Sequence, residues 1–303
     1  MYRVDARHNY TELERAWGRK NSILILRKNM NHVNFVWPPY VGLPQSVGEH
    51  CVHLLAPNAD LFTYEGTNTW IVGGGTGAGC IVVDPGSEDP AHLKAIIGVV
   101  EDRRWTIDAI SATHLHEDHT DGALELSRIT GAEVFTFGGR GDFREIRDGD
   151  TFELGGTHVE VIHTPGHTDD SITFRVASNM YITGDTVLSE RSSAVYGNLR
   201  QFFRTLDLLR EFSKDHEAIF LPGHGPIISE PNSVIDLVAQ SRIRRLNQIS
   251  DLVDQGFRTP AAITGQLYPG IESERREDAE AYVASNLSYL LAERQSAERL
   301  NPN

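Results

Sequence analysis

Three imidazoles and the Asp118 carboxylate fall within one short stretch, Thr113-His114-Leu115-His116-Glu117-Asp118-His119. Neutral imidazole nitrogens and carboxylate oxygens are the donors that divalent zinc takes most readily, and a loop carrying them at close spacing can aim several at one point. The residues before it, Ile107 to Ala112, read as a short strand, and Asp121 to Ile129 read as the start of a helix. The histidines are therefore expected on a strand-to-helix turn. A lone His-X-His would more simply be a polar loop. Three matching places downstream turn the reading towards a metal centre.

Each of those places is an apolar run that ends in a turn bearing a possible ligand. Val159 to Ile162 leads into His163-Thr164-Pro165-Gly166-His167. Met180 to Thr183 leads into Gly184-Asp185, and Ala218 to Leu221 leads into Pro222-Gly223-His224-Gly225. A glycine beside each candidate ligand allows the tight turn and close backbone approach that bring loops from separate strands onto one small ion.

At these residues the chain resembles the metallo-β-lactamase superfamily of hydrolases, whose seven-position pattern is filled by His114, His116, Asp118, His119, His167, Asp185 and His224. The resemblance implies two divalent metal ions, zinc first, with iron or manganese as alternatives. One would be held by His114, His116 and His167, the other by Asp118, His119 and His224, and Asp185 would bridge them. Two metals about 3.5–4 Å apart share a water and lower its pKa, so the nucleophile expected is a bridging hydroxide. Asp118 and Asp185 thus count as catalytic residues as well as ligands. An aspartate at 185 disfavours the antibiotic-destroying members, and a histidine at 116 disfavours the oxygen-reducing flavodiiron branch. The resemblance leaves glyoxalase II-like enzymes, thioesterases, lactonases and endoribonucleases.

Further segments are expected to position this centre. Phe62 to Thr69 and Val82-Val83-Asp84-Pro85-Gly86 look like the family's opening motifs, and Asp84 is expected to orient a histidine ligand or the loop itself. Strands are predicted at Cys51–Leu55, Thr69–Val72 and Cys80–Val83, with a helix from about Pro90 to Val100. A strand at Glu133–Phe137 precedes a polar segment from Arg140 to Asp150. The loop from Thr186 to Leu199 starts at Asp185 and should rim the site. It holds Ser192, Ser193 and Tyr196, and Tyr196 is the candidate proton donor. The helix from Asn198 to Phe212 carries Leu199, Phe202, Phe203, Leu206 and Leu209 on one face, a pattern of core packing.

The fold class expected is α/β. Spacing alone supports only a mixed arrangement, and the resemblance implies a four-layer αβ/βα sandwich. Residues 1–29 read as a weakly ordered leader, with an edge strand at Ser22 to Leu26, joining the sheet or a partner subunit, as the alternative. Residues 30–229 read as the catalytic domain and 230–303 as a helical appendix, with helices at Val234–Val253, Pro260–Tyr268 and Glu274–Glu293. That appendix resembles the winged-helix-like tail of the β-lactamase-like endoribonucleases and their thioesterase relatives, although no hairpin wing is legible before Asn303. Arg242, Arg244 and Arg245 are expected on its solvated face, given the acidic chain, with contact to phosphate as the alternative.

With 303 residues, 40% hydrophobic and 23% charged, the composition is that of a globular protein. No apolar run reaches a membrane span, and the first residues mix acids and bases, so no membrane partner and a cytoplasmic location are expected. A net charge of −14 argues against a surface that grips nucleic acid nonspecifically. The function expected is hydrolysis of a small acyl ester or thioester, with cleavage of single-stranded RNA or of a lactone as alternatives. The partner is then a small-molecule substrate, and a homodimer is left open.

Overall fold

The structure, a computed structural model, describes residues 24–25, 35–37, 39–189, 193–195, 198–214 and 217–300. Strand β1 (Leu24–Ile25) pairs antiparallel with β2 (Val36–Trp37) as a ribbon of its own. A short strand thus lies within Ser22 to Leu26, but in neither large sheet. The rest of the expected leader falls outside the described residues.

The first large sheet runs in chain order through β3 (Gln45–Val47), β4 (Cys51–Leu55), β5 (Asn68–Gly73), β6 (Gly79–Val83), β7 (Thr106–Ser111), β8 (Glu133–Phe137) and β9 (Arg144–Ile146). Pairing is antiparallel from β3 to β6 and parallel from β6 to β9. The first two parallel steps cross over through helices α1 (Pro90–Arg103) and α2 (Glu117–Thr130). The second sheet is β10 (Thr151–Leu154), β11 (Thr157–His163), β12 (Ile172–Val176), β13 (Met180–Gly184) and β14 (Ile219–Pro222). Its last pair is parallel, with α3 (Leu199–Phe212) between the two strands.

Alternation along the strands sets the layers. On β5, Trp70 and Val72 face a core shared with Val161, Phe174 and Ile182 of the second sheet, so the two sheets pack face to face. Ile71, on the same strand, turns the other way and meets Leu93 and Ile96 of α1 and Leu126 of α2. On the far side, Tyr181 of β13 and Phe220 of β14 turn outward onto Phe202, Leu206 and Leu209 of α3. The result is helix, sheet, sheet, helix, the expected four-layer sandwich. Burying each such side chain contributes about 1.5–3 kcal/mol. Cys51 and Cys80 are buried thiols and form no bridge.

Two local differences from expectation have physical causes. Helix α2 starts at Glu117 rather than Asp121, because the His119 and Thr120 amides bond the His116 carbonyl and Glu117 and Asp118 place negative charge in the first turn. Asp118 and His119 therefore sit on rigid helix rather than on a loop. Strand β9 lies inside the segment expected to be only polar. It pairs on one side, with β8, and only Ile146 is buried, so no apolar run marks it.

After β14 come α4 (Pro231–Asp254), α5 (Pro260–Leu267) and α6 (Ser273–Leu300). Ile235 and Val238 of α4 join the cluster under α3, whereas Ile249, Val253, Ile263, Val283 and Leu287 form a small core of their own. Among the described residues no strand follows β14, and no helix is long and apolar enough to cross a membrane.

Candidate metal centre

Four strands release their loops towards one place. His114 follows β7, His167 follows β11, Asp185 follows β13 and His224 follows β14, while Asp118 and His119 stand in the first turn of α2. All seven residues expected to be ligands are brought together. Nε2 of His114 and Nε2 of His167 lie 2.9 and 3.0 Å from Nδ1 of His116. Oδ2 of Asp118 lies 3.0 Å from Nε2 of His224 and 3.6 Å from Nε2 of His119. Asp185 spans the two groups: its Oδ1 is 3.5 and 3.6 Å from Nε2 of His119 and His224, and its Oδ2 is 3.9 Å from Nε2 of His167.

These donors fall into three overlapping triads within metal-ligand reach: His114, His116 and His167; His114, His119 and Asp185; and Asp118, His119 and His224. Nε2 of His119 and Oδ1 of Asp185 are buried with no hydrogen-bond partner on the protein. Leaving such atoms unsatisfied costs about 1–3 kcal/mol each, and more where the group is charged, so the arrangement fits a bound cation.

The outward nitrogens are held by the fold. Nδ1 of His167 donates to the Ala194 carbonyl at 2.7 Å, with Oγ of Ser193 at 2.8 Å, and Nδ1 of His224 donates to the Gly66 carbonyl at 3.2 Å. Nδ1 of His119 is 3.0 Å from Oδ2 of Asp84. The Asp84 carboxylate also accepts from the Thr113 amide at 2.6 Å and from Oγ1 of Thr113 at 2.9 Å. Asp84 thus orients both a histidine and the histidine loop, and it does so at φ 52°, a left-handed conformation uncommon for a residue other than glycine. Such second contacts fix the ring that a metal meets.

Gly223 shows how little room is left. A Cβ there would stand 2.5 Å from Oδ1 of Asp185 and 2.6 Å from Cε1 of His119. Asn68 secures the same turn by donating at 2.9 Å to the Pro222 and Gly225 carbonyls.

Protonation in the cluster follows burial and charge. Burial, reinforced by the neighbouring imidazoles, holds His114 well below the ordinary histidine value. Burial takes His167 down to about 4. Burial also opposes charge on His119, but the carboxylates of Asp84, Asp185 and Asp118 outweigh it and push that ring up to about 10. The carboxylates draw positive charge to the centre of the cluster, the place a metal would take.

The centre opens into a cleft of about 890 Å³, walled by Phe62, Tyr64, Leu115, Leu188, Ser193 and Ala194 among others. Tyr64 was not singled out in the sequence, although it lies in the Phe62 to Thr69 motif. Its ring meets His224 edge-on at 5.9 Å. Ser193 is on the rim as expected. Tyr196 and Ser192 lie outside the described residues. Arg242 departs from expectation: it is 3% exposed rather than on a solvated face. Its guanidinium lies over the rings of Phe202 and Tyr282, at 5.7 and 5.3 Å, because that side of α4 packs on α3 and α6.

The metallo-beta-lactamase superfamily profile matches residues 63–224, from the opening motif to the last histidine of the cluster. The chain belongs to that superfamily and is a hydrolase. Among its relatives, a beta-lactamase-like protein 2 homolog of Drosophila melanogaster is 31% identical, over 65% of this chain and 72% of that protein. The atrochrysone carboxyl ACP thioesterase AgnL7 of Paecilomyces divaricatus is 30% identical, over 72% and 68%. A beta-lactamase domain protein from Burkholderia ambifaria has the same fold, with a TM-score of 0.71 at 19% identity, covering 84% of this chain and 90% of that one. The fold implies divalent metal binding, which the histidine and aspartate clusters fit.

Proposed function

We propose that the chain is a dinuclear metal-dependent hydrolase of acyl thioesters. The observation that carries this is the pair of donor sets joined by Asp185, with His114, His116 and His167 on one side and Asp118, His119 and His224 on the other. Bound there, two divalent ions, zinc by the donor chemistry, would supply the Lewis acidity that polarises a carbonyl and acidifies water.

The chain's own part is to hold and orient. Asp185 sets the relation between the two donor sets, while Asp84, Gly66 and Ala194 fix the rings from behind. Phe62, Leu115 and Leu188 offer apolar wall to the acyl group. In the reaction, water oxygen joins the acyl carbon and the carbon–sulfur bond breaks. The sulfur keeps the bonding pair and leaves as thiolate, with the two protons of water passing to solvent or to the products. A thiol ionises at about 8–9, so the leaving group needs little help from a proton donor. The relatives named as thioesterases support the choice of a thioester.

On this reading residues 30–229 form the catalytic part and residues 230–303 govern substrate choice. A cytoplasmic location goes with it, supported by the unbridged Cys51 and Cys80. The test is a panel of acyl thioesters, an oxygen ester, a lactone and a single-stranded RNA, assayed with metal content measured on the same sample. Thioester turnover proportional to metal, with close to two ions per chain, is the expected result. Cleavage of RNA alone, or turnover without metal, would refute the reading.

A further inference from the structure

Beside the metal cleft lies a second cavity, of about 520 Å³, between α4 and α6. Arg242, Arg244, Arg245 and Arg275 line it together with Ser241, Gln248, Tyr268 and Tyr282, and no carboxylate does among the described residues. Among the described lining residues, four guanidinium groups therefore gather in one wall of a chain whose net charge is −14. The cavity is also built rather than merely lined. Nη1 of Arg242 donates to the Tyr282 hydroxyl at 2.6 Å, and Arg245 lies 4.9 Å over the Tyr268 ring.

Ser193, Ala194 and Arg275 line both this cavity and the metal cleft. The Ala194 carbonyl is the one that holds His167. A molecule with its reacting carbon at the metals can therefore extend past that segment into the arginines. A third cavity, of about 500 Å³ and mostly apolar apart from Arg275 and Asp278, adjoins at Tyr268, Arg275 and Tyr282.

We propose that the arginine cavity is the subsite for a phosphate group on the thiol half of the substrate, as carried by a nucleotide-linked pantetheine thiol or by the pantetheine arm of a carrier protein. This rests on the thioester reading above. Phosphate is chosen over carboxylate because the nucleotide-linked thiol carries several phosphate charges, which match several guanidinium forks, while the arm's phosphodiester, a monoanion, engages fewer of them.

The test uses the full chain loaded with zinc. The same acyl group is offered on coenzyme A, on a carrier protein and on N-acetylcysteamine, which has no phosphate. Parent protein is compared with Arg245→Ala, Arg275→Ala and the charge-keeping Arg245→Lys. Each alanine variant is expected to lower the kcat/KM preference for phosphate-bearing over phosphate-free thioester about tenfold, through KM, with Arg245→Lys keeping much of it. A loss on both phosphate-bearing substrates assigns the shared arm, and a loss on acyl-coenzyme A alone assigns the free nucleotide-linked thiol. An equal loss on all three thioesters would overturn the subsite.

Calorimetry with coenzyme A disulfide, which has no free thiol to meet a metal, reads the cavity without turnover. About tenfold weaker binding in the alanine variants is expected, and unchanged binding refutes the proposal. If the parent hydrolyses no thioester, the reaction assigned above fails while this measurement still decides the subsite. If single-stranded RNA binds and loses affinity in the same variants while the disulfide does not bind, the cavity takes a nucleic-acid backbone and the thiol carrier is wrong.

Discussion

Asp185 is the residue that lies between the two donor sets, since its Oδ1 faces His119 and His224 and its Oδ2 faces His167. Its replacement should alter position, charge and water acidity together. Asp185→Asn is expected to cost more than the 10²–10³ in rate typical of losing about one electrostatic stabiliser, and to lower bound metal measured by elemental analysis. Retention of most of the rate would show that the aspartate does not join two ions. Asp84 acts one step further out, through His119 and Thr113. Asp84→Asn keeps the shape and the amide contact but removes the charge beside Nδ1 of His119. Zinc affinity, read by competition with a chromophoric chelator, should fall on the order of 10–100-fold. Both positions were legible in the sequence through the family resemblance, which put Asp185 in the ligand pattern and Asp84 in an opening motif beside the metal loops. Tyr64 was less so, because one aromatic in a turn carries no spacing signal.

Among the elements, the loops matter through what they exclude. Gly223 faces Asp185 and His119 so closely that a methyl group has no place to go. Gly223→Ala should displace one or both donors, with bound zinc falling while far-UV circular dichroism is unchanged. Full zinc occupancy in a folded variant would mean that the turn can shift without cost. Strand-to-ligand order could be read along the chain, but the early start of α2 could not. Its first turn forms around the His116 carbonyl, and helix propensity does not reveal that Asp118 and His119 belong to the helix.

Across the whole molecule, burial makes stability depend on pH. His53 and His92 are fully or nearly fully buried, and burial takes each down to about 4. An unfolded histidine takes its proton near pH 6.5, so between about 6.5 and 4 the unfolded chain binds more protons than the folded one, and stability falls as pH falls through that window. At 1.36 kcal/mol per pKa unit each ring accounts for on the order of 3 kcal/mol by pH 4. Urea unfolding of the metal-free protein, compared with His92→Gln, should show a shallower acid slope in the variant. Identical slopes would mean that His92 is protonated in the folded state. Removal of residues after Ser229 tests the division of labour. It uncovers Phe202 and Leu206, which Ile235 and Val238 help to cover, so Tm should drop while zinc still binds. Loss of zinc from a truncated chain that remains folded would make the appendix part of the centre.

The sequence alone sets which metal donors the chain holds and the order in which it presents them, because such donors are few in kind and four of them, His114, His167, Asp185 and His224, follow apolar strands. The layers followed from alternation along those strands once the family resemblance supplied the topology. Tertiary structure decided what depends on residues far apart in sequence. It placed Asp84 behind His119, the Asn68 amide under the His224 turn, and Arg242 between Phe202 and Tyr282 instead of in water. Three arginines on a helix look alike in sequence. Which of them is buried, and that a fourth at position 275 joins them beside the metal cleft, depends on how α4 packs against α3 and α6, and helical spacing does not encode that packing.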